Sequence, residues 1–208
     1  MVVRQETHPG SGVSAPPEDF RVAVESMHAA KLRPEVFCES MPAPQRIAPH
    51  ASALSADVTV DDADIGTGRL ILLHDPAGND AWAGTFRFVA YARAEIDPEL
   101  AADPLLSAVG WSWLTEALEA HGAEFAAPSG TVTCVSTENF GSMADEEGTA
   151  QIELRASWTP VGPDNGDLDV SAHVEAWGEL LCTAVGLEPV PEGVTAMPSR
   201  RGQRGPAQ

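Results

Sequence analysis

The pair His74-Asp75 is the first candidate for chemistry in this sequence. A histidine beside a carboxylate can exchange protons near neutral pH. The pair ends an apolar stretch and directly precedes Pro76, and the ends of strands often present catalytic groups. It therefore suggests a hydrolase-type acid–base site. The alternative, which we favour, is structural: Asp75 caps a turn and His74 is a half-buried surface histidine.

Three arginines form a second candidate, a binding site for a small anion. Arg87, Arg93 and Arg155 occupy polar positions of two alternating segments, with Tyr91 between the first two. Guanidinium groups bind carboxylates and phosphates through paired hydrogen bonds. Acidic residues that face the same way could instead neutralise the arginines across strands; these residues are Asp57, Glu95 and Glu153. We favour salt bridges over a ligand site.

Other patterns give no defined site. The segments 61–64 and 164–169 are rich in the carboxylate oxygens that Ca²⁺ and Mg²⁺ prefer, but neither has EF-hand spacing, and we expect no metal. The cysteines Cys38, Cys134 and Cys182 are far apart and form no CxxC motif. A glycine-rich phosphate loop, a nucleophile elbow and an HExxH motif are all absent from the sequence, so we expect no cofactor and incline against an enzyme.

Charge limits the partners that the chain can bind. The sequence has 31 acidic and 12 basic residues and a net charge of −19, which disfavours nucleic acid and anionic membranes. The N-terminal segment lacks the apolar core of a signal peptide, and no apolar run reaches the roughly 20 residues of a membrane helix. We therefore expect a cytoplasmic protein. A protein partner or a homodimer is an open alternative.

Hydrophobic periodicity places these residues in an α+β fold. The predicted helices are 17–32, a central helix that starts at Pro104 after the cap Asp103 and stops at Gly122, and about 168–185. The predicted strands are 54–60, 69–74, 85–96, 131–135 and 151–158. The order α-βββ-α-ββ-α indicates a five-stranded, mainly antiparallel sheet with three helices, because alternation with one polar face is typical of antiparallel sheets. We expect one domain over 16–188 and disordered tails at 1–15 and 189–208.

Two segments of this framework bear on binding. Residues 33–50 contain four prolines and are predicted to lack regular structure, as a surface strap or a binding loop. In the central helix, Trp113 falls within a broad apolar arc and Trp111 falls at its margin. An exposed Trp111 would indicate an interface.

Three stretches are familiar: Pro42-Ala43-Pro44-Gln45-Arg46-Ile47-Ala48-Pro49, Leu72-Leu73-His74-Asp75-Pro76 and Val109-Gly110-Trp111-Ser112-Trp113-Leu114. Together they resemble an actinobacterial family of uncharacterised proteins, the domain of unknown function numbered three thousand, over about residues 18–190. This resemblance implies no activity, because none is established for the family. The predicted element order is also similar to that of type III secretion chaperones, which bind partner polypeptides and commonly dimerise. We therefore favour a non-enzymatic protein-binding or chaperone-like module.

Overall fold

Alternating apolar residues build a six-stranded antiparallel sheet that carries helices on one face. The structure is a computed structural model, and it describes residues 15–162 and 168–189. In chain order the elements are α1 (Glu18–Ala29), β1 (Val36–Met41), β2 (His50–Val60), β3 (Ala63–Asn79), β4 (Gly84–Ile96), α2 (Pro98–Ala101), α3 (Leu106–Ala120), β5 (Phe125–Thr137), a 3₁₀ turn (Gly141–Met143), β6 (Thr149–Pro160) and α4 (Ser171–Ala184).

The strand order across the sheet is β1-β2-β3-β4-β6-β5. The first four strands are neighbours in sequence and pair in succession. β6 then pairs with both β4 and β5, so it lies between them. The two edges of the sheet are therefore β1 and β5, and within the described residues no further strand pairs with either edge.

The core lies between the sheet and the helices. α4 packs on β3 and β4 and contacts α1 and α3, and α3 lies over β5. The fully buried tryptophans are Trp158 of β6 and Trp177 of α4. Trp113 was expected in the core and Trp111 at its margin. Both side chains are half-buried and pack against the core. Polar side chains at alternating strand positions, such as Arg87, Tyr91 and Arg155, lie on the opposite face of the sheet. We call this face the open face.

The predicted α+β class and antiparallel sheet are confirmed, but the number of elements was wrong. The sheet has six strands rather than five, and the described residues form four α-helices rather than three. The additional strand is β1, which lies inside the proline-rich segment 33–50. Its six residues fall between Pro34 and Pro42, so no proline interrupts them, and they pair with β2 from Val36↔Val58 to Met41↔Ala53. Only the rest of that segment is irregular.

The additional helix is a single turn. In α2, Asp97 caps the N-terminus by accepting a hydrogen bond from the Glu99 amide at 2.7 Å. Asp103 likewise accepts one from the Leu105 amide at 2.8 Å, but this aspartate closes a turn, and α3 begins at Leu106 rather than at Pro104.

The turn expected at Asp75 lies farther along the chain. β3 continues to Asn79 after an irregularity that follows His74, and the chain turns at residues 80–83. Apart from Ala15 and Pro189, the predicted tails at 1–15 and 189–208 lie outside the described residues. So do residues 164–167 of the acidic segment 164–169.

Candidate functional site

His74 lies inside the molecule, where α1 meets the sheet. Its side chain has no exposed surface. The ring stacks on Phe86 of β4 at a centroid distance of 4.2 Å and on Phe20 of α1 at 5.7 Å. Its cross-strand partner His50 supplies a third ring at 5.9 Å. An imidazole enclosed in this way cannot contact a substrate in this conformation.

The carboxylate that faces His74 belongs to Asp19, with Oδ2 at 3.4 Å from Nε2. Asp75 instead accepts a hydrogen bond from the Ala77 amide at 3.0 Å. Burial lowers the pKa of His74, while Asp19 acts in the opposite direction. On the other side of the ring, Nδ1 lies 3.2 Å from the Thr85 carbonyl oxygen. Nε2 has no hydrogen-bond partner among the described residues. The structure therefore joins His74 to α1 rather than to Asp75.

Arg87 is buried at one end of the open face. One terminal nitrogen donates to the carbonyl oxygen of Ala127 at 2.9 Å and to Thr159 Oγ1 at 3.1 Å. The other donates to Ser129 Oγ at 3.1 Å and to Ser157, at 2.8 Å to Oγ and 3.2 Å to the carbonyl oxygen. Burial lowers the pKa of the guanidinium. These neutral acceptors occupy both terminal nitrogens, so Arg87 binds β5 and β6 to β4.

The other two arginines lie farther along the open face. Arg155 Nη2 pairs with Glu153 Oε1 at 2.9 Å, and its guanidinium carbon lies 5.8 Å from the centre of the Tyr91 ring. The Tyr91 hydroxyl donates to Glu153 Oε2 at 2.9 Å. Burial, followed by this contact with Glu153, raises the pKa of Tyr91. Arg93 forms no ion pair with a described residue.

The three arginines do not converge on one site. Arg87 and Arg93 are six residues apart on β4, which at about 3.3 Å per residue separates their α-carbons by roughly 20 Å. Arg69 is a residue that the sequence analysis passed over. It is exposed and lies directly opposite Tyr91. The run after it, Leu70-Ile71-Leu72-Leu73, is apolar throughout, so local alternation did not assign Arg69 to the open face.

Trp111 lies over an edge of the sheet. It is half-buried on α3, and a Cβ atom added to Gly130 of β5 would lie 2.7 Å from its ring. One turn earlier, Ser107 Oγ lies 3.8 Å from Cys134 Sγ of the same strand. The flank of α3 that carries Ser107 and Trp111 therefore follows β5.

A groove of about 390 Å³ lies between α1 and β1. No sequence pattern indicated this groove, because β1 lies in a segment that was predicted to be irregular. Its apolar lining comes from four elements and the turn after α1, and the residues are Met27, Ala30, Leu32, Val36, Phe37, Leu54 and Val174. His28 of α1 and Cys38, Glu39 and Ser40 of β1 complete the lining. Burial, with a further contribution from Glu39, raises the pKa of the Cys38 thiol. The volume lies within the roughly 300–1,000 Å³ of ligand pockets.

Comparison with known proteins identifies the family. Residues 16–195 match the family model described as "Protein of unknown function (DUF3000)". The chain belongs to the DUF3000 family. This confirms the resemblance drawn from the sequence. No curated protein and no solved structure matches the chain. DUF3000 membership supplies no activity, and the actinobacterial source stays a prediction.

The described residues contain neither a cluster of metal-ligating side chains nor a membrane-spanning helix. Within residues 15–162 and 168–189, no three His, Cys, Asp or Glu side chains come together as metal ligands would. Among the same residues, none of the helices combines the length and apolarity needed to cross a bilayer.

Proposed function

We propose that this protein is a non-enzymatic binding module that receives an extended segment of a partner polypeptide. The observation that carries the proposal is the groove between α1 and β1, which opens beside an edge strand. A groove at a sheet edge offers a partner both main-chain and side-chain contacts. Peptides that add a strand to a sheet use this combination.

The main-chain contacts would come from β1. It pairs with β2 on one side, and no described strand occupies its other side. The free amide and carbonyl groups of that side can bind an extended backbone of any sequence. Affinity would therefore come from the backbone, and selectivity would come from what enters the groove.

The side-chain contacts favour an apolar residue in the bound segment. Val36, Cys38 and Leu54 lie on the helix-bearing face of the paired strands β1 and β2, and Met27 and Leu32 stand opposite them. Glu39 lines the groove as well, and the chain carries −19. The partner segment would accordingly combine an apolar residue with neighbouring lysine or arginine.

The two alternative functions gain less from the structure. A hydrolase needs a base that a substrate can approach, whereas His74 is enclosed by aromatic rings. An anion site on the arginines needs free donors, whereas Arg87 gives its terminal N–H groups to β5 and β6. The chaperone analogy depended on element order, and the described order contains one more strand and one more helix. All three stay predictions from the sequence.

Selection from short random peptides tests the proposal. Recovered peptides should combine an apolar residue with basic residues, and they should slow alkylation of Cys38, which lines the groove. Ser40→Trp would fill the groove from its exposed rim and should weaken binding by about tenfold or more. The matched control Ala81→Trp changes an exposed turn at 80–83 and should bind like the unmodified chain.

Two results would reject this function. One is a selection that recovers no peptide above background. The other is a set of peptides that bind the Ser40→Trp chain as tightly as the Ala81→Trp chain, because such peptides would occupy a different surface.

A further inference from the structure

The chain that follows α4 passes next to the groove between α1 and β1. The carbonyl oxygen of Glu188 accepts a hydrogen bond from Arg33 Nη1 at 2.9 Å. Arg33 lies between α1 and β1, one residue after Leu32, which lines the groove. This contact holds the chain beside the groove at the point where residues 190–208 begin. A segment that starts there can reach the groove without crossing the molecule.

Packing on both sides of this contact fixes the starting point. Leu187, which directly precedes Glu188, packs against the hydrophobic core. The guanidinium of Arg33 also pairs with Glu35, with Nη2 at 3.4 Å from Oε1, and lies 3.8 Å from Oε1 of Glu179 on α4. The end of α4 and the start of β1 are therefore joined through one arginine.

The groove is short compared with the segment that begins beside it. β1 has six residues, which at about 3.3 Å per residue extend over roughly 20 Å. Residues 190–208 can span roughly 60 Å when extended. From Arg33 the direct route follows β1 from Val36 towards Met41, along the side on which β1 pairs with no described strand. A segment on this route would add to the sheet as a parallel strand.

The composition of the segment matches the partner expected for the groove. Its apolar residues Val194 and Met197 are followed by Arg200 and Arg201. The segment holds three arginines and one glutamate, so it carries +2 and leaves −21 to the rest of the chain. Opposite charges favour its approach, and Glu39 lies in the groove lining. The chain thus contains its own apolar sequence with neighbouring arginines.

We propose, on the basis of the function proposed above, that residues 190–208 occupy this groove and pair with β1 as an internal competitor of the partner polypeptide. A short linker holds a segment near its site at an effective concentration in the millimolar range, so weak contacts are sufficient for occupancy. A partner must then displace the segment. Its apparent affinity falls in proportion to the fraction of grooves that are free.

Alkylation of the three cysteines of the full chain tests the occupancy. Cys38 lines the groove, Cys134 lies on β5 at the opposite edge of the sheet, and Cys182 is buried in the core. The double variant Val194→Asp, Met197→Asp gives the segment charges that an apolar groove excludes. Its Cys38 should react with iodoacetamide about tenfold faster than in the unmodified chain, as expected when a segment that covers the groove about nine-tenths of the time is released. Cys134 should react at an unchanged rate, and an unreactive Cys182 shows that the core is intact.

A matched control places the same two charges beyond the apolar residues. Gly205→Asp with Ala207→Asp should leave the rate of Cys38 unchanged. Equal rates at Cys38 in the unmodified chain and the double variant would overturn the proposal. An equal acceleration by the control would also overturn it, because net charge alone would then explain the effect. So would an equal acceleration at Cys134, because the change would not be confined to the groove.

A synthetic peptide of residues 190–208 separates this inference from the proposed function. At millimolar concentration it should slow alkylation of Cys38 in the double variant to about the rate of the unmodified chain. Adding Ser40→Trp to the double variant should remove this effect of the peptide. If selected random peptides bind the groove and this peptide does not, the proposed function stands and the inference fails. If this peptide protects Cys38 and the selection recovers nothing, the segment occupies the groove and the partner function fails.

Discussion

His173 and Trp158 form a buried polar pair in the core. The indole Nε1–H of Trp158 donates to His173 Nδ1 at 3.2 Å, so Nδ1 must be unprotonated. Burial lowers the pKa of His173 to about 4, and the carboxylate of Asp169 acts in the opposite direction. The imidazole is therefore a neutral acceptor at physiological pH, and protonation would remove the hydrogen bond from Trp158.

This pair predicts a loss of stability in mild acid. Between the ordinary pKa of 6.5 and the folded value of about 4, the unfolded chain binds a proton that the folded chain excludes. Stability is therefore full above pH 6.5 and falls as the pH drops through this window, by up to about 3 kcal/mol. The lowered pKa of His74 acts in the same direction. Urea denaturation over this pH range measures the loss.

The variant His173→Gln assigns the effect. Glutamine can still accept from Trp158 but does not titrate, so the variant should lose less stability in acid than the unmodified chain. The exposed His28→Gln should follow the unmodified chain. Identical pH profiles for the unmodified chain and His173→Gln would contradict the assignment.

Arg87 shows how far a residue pattern can predict a site. Alternation along β4 assigned it correctly to the polar face, but pattern alone does not give burial. Its burial depends on the distorted start of β5, where Ala127 and Ser129 accept from the guanidinium from 40 or more residues away in sequence. His74 is a similar case, since Phe20, which shields it, comes from α1. Long-range packing of this kind leaves no local signal.

At the scale of elements, small residues in β3 allow α4 to approach the sheet. A Cβ atom added to Gly68 would lie 2.7 Å from Leu181 Cδ2 and 2.8 Å from Trp177 Cζ2. A Cβ atom on Gly66 would lie 2.5 Å from Val185 Cγ1. Real Cβ atoms do not pack so closely, so α4 can rest on β3 only where β3 lacks side chains.

We therefore expect Gly68→Ala to destabilise the protein. Alanine in a strand gains about 0.5–1 kcal/mol over glycine by restricting the unfolded chain. Overpacking of a well-packed core costs about 1–3 kcal/mol, and Trp177 and Leu181 have no free space because they are fully buried. The cost should exceed the gain. Thr67→Ala, on the opposite face of the same strand, is the control. If Gly68→Ala unfolds at the same urea concentration as Thr67→Ala, this prediction is wrong.

The elements themselves were predictable where one pattern ran uninterrupted. β4 and β6 alternate over many residues, and each was placed to within two residues at either end. β1 was missed because it is only six residues long and lies between prolines. Its strand conformation depends on pairing with β2. β3 was cut short for a related reason: Pro76 and Gly78 indicate a turn, whereas the strand tolerates both after its register shifts at His74.

At the scale of the whole molecule, unbalanced charge opposes folding. The chain has 31 acidic and 12 basic residues. The ion pairs of the described residues use only three arginines, Arg21, Arg33 and Arg155, together with two histidines. Most carboxylates of the described residues therefore lack a basic side chain within ion-pair distance. Their mutual repulsion lowers the stability of any compact state of the chain.

This repulsion predicts that sodium chloride stabilises the fold. Salt at about 0.1 M shortens the range of charge interactions to about 10 Å, so the melting temperature should rise between low and moderate salt. The triple variant Asp145→Asn, Glu146→Gln, Glu147→Gln removes three exposed carboxylates and takes the net charge from −19 to −16. Its melting temperature should rise less when salt is added. A relief of about 1 kcal/mol would raise the melting temperature by about 2–4 °C in a chain of this size. Thermal denaturation of both chains measures these shifts. One low protein concentration is used throughout, so that a change in association does not alter the melting temperature. A melting temperature that falls with salt would instead mean that the few ion pairs outweigh the repulsion.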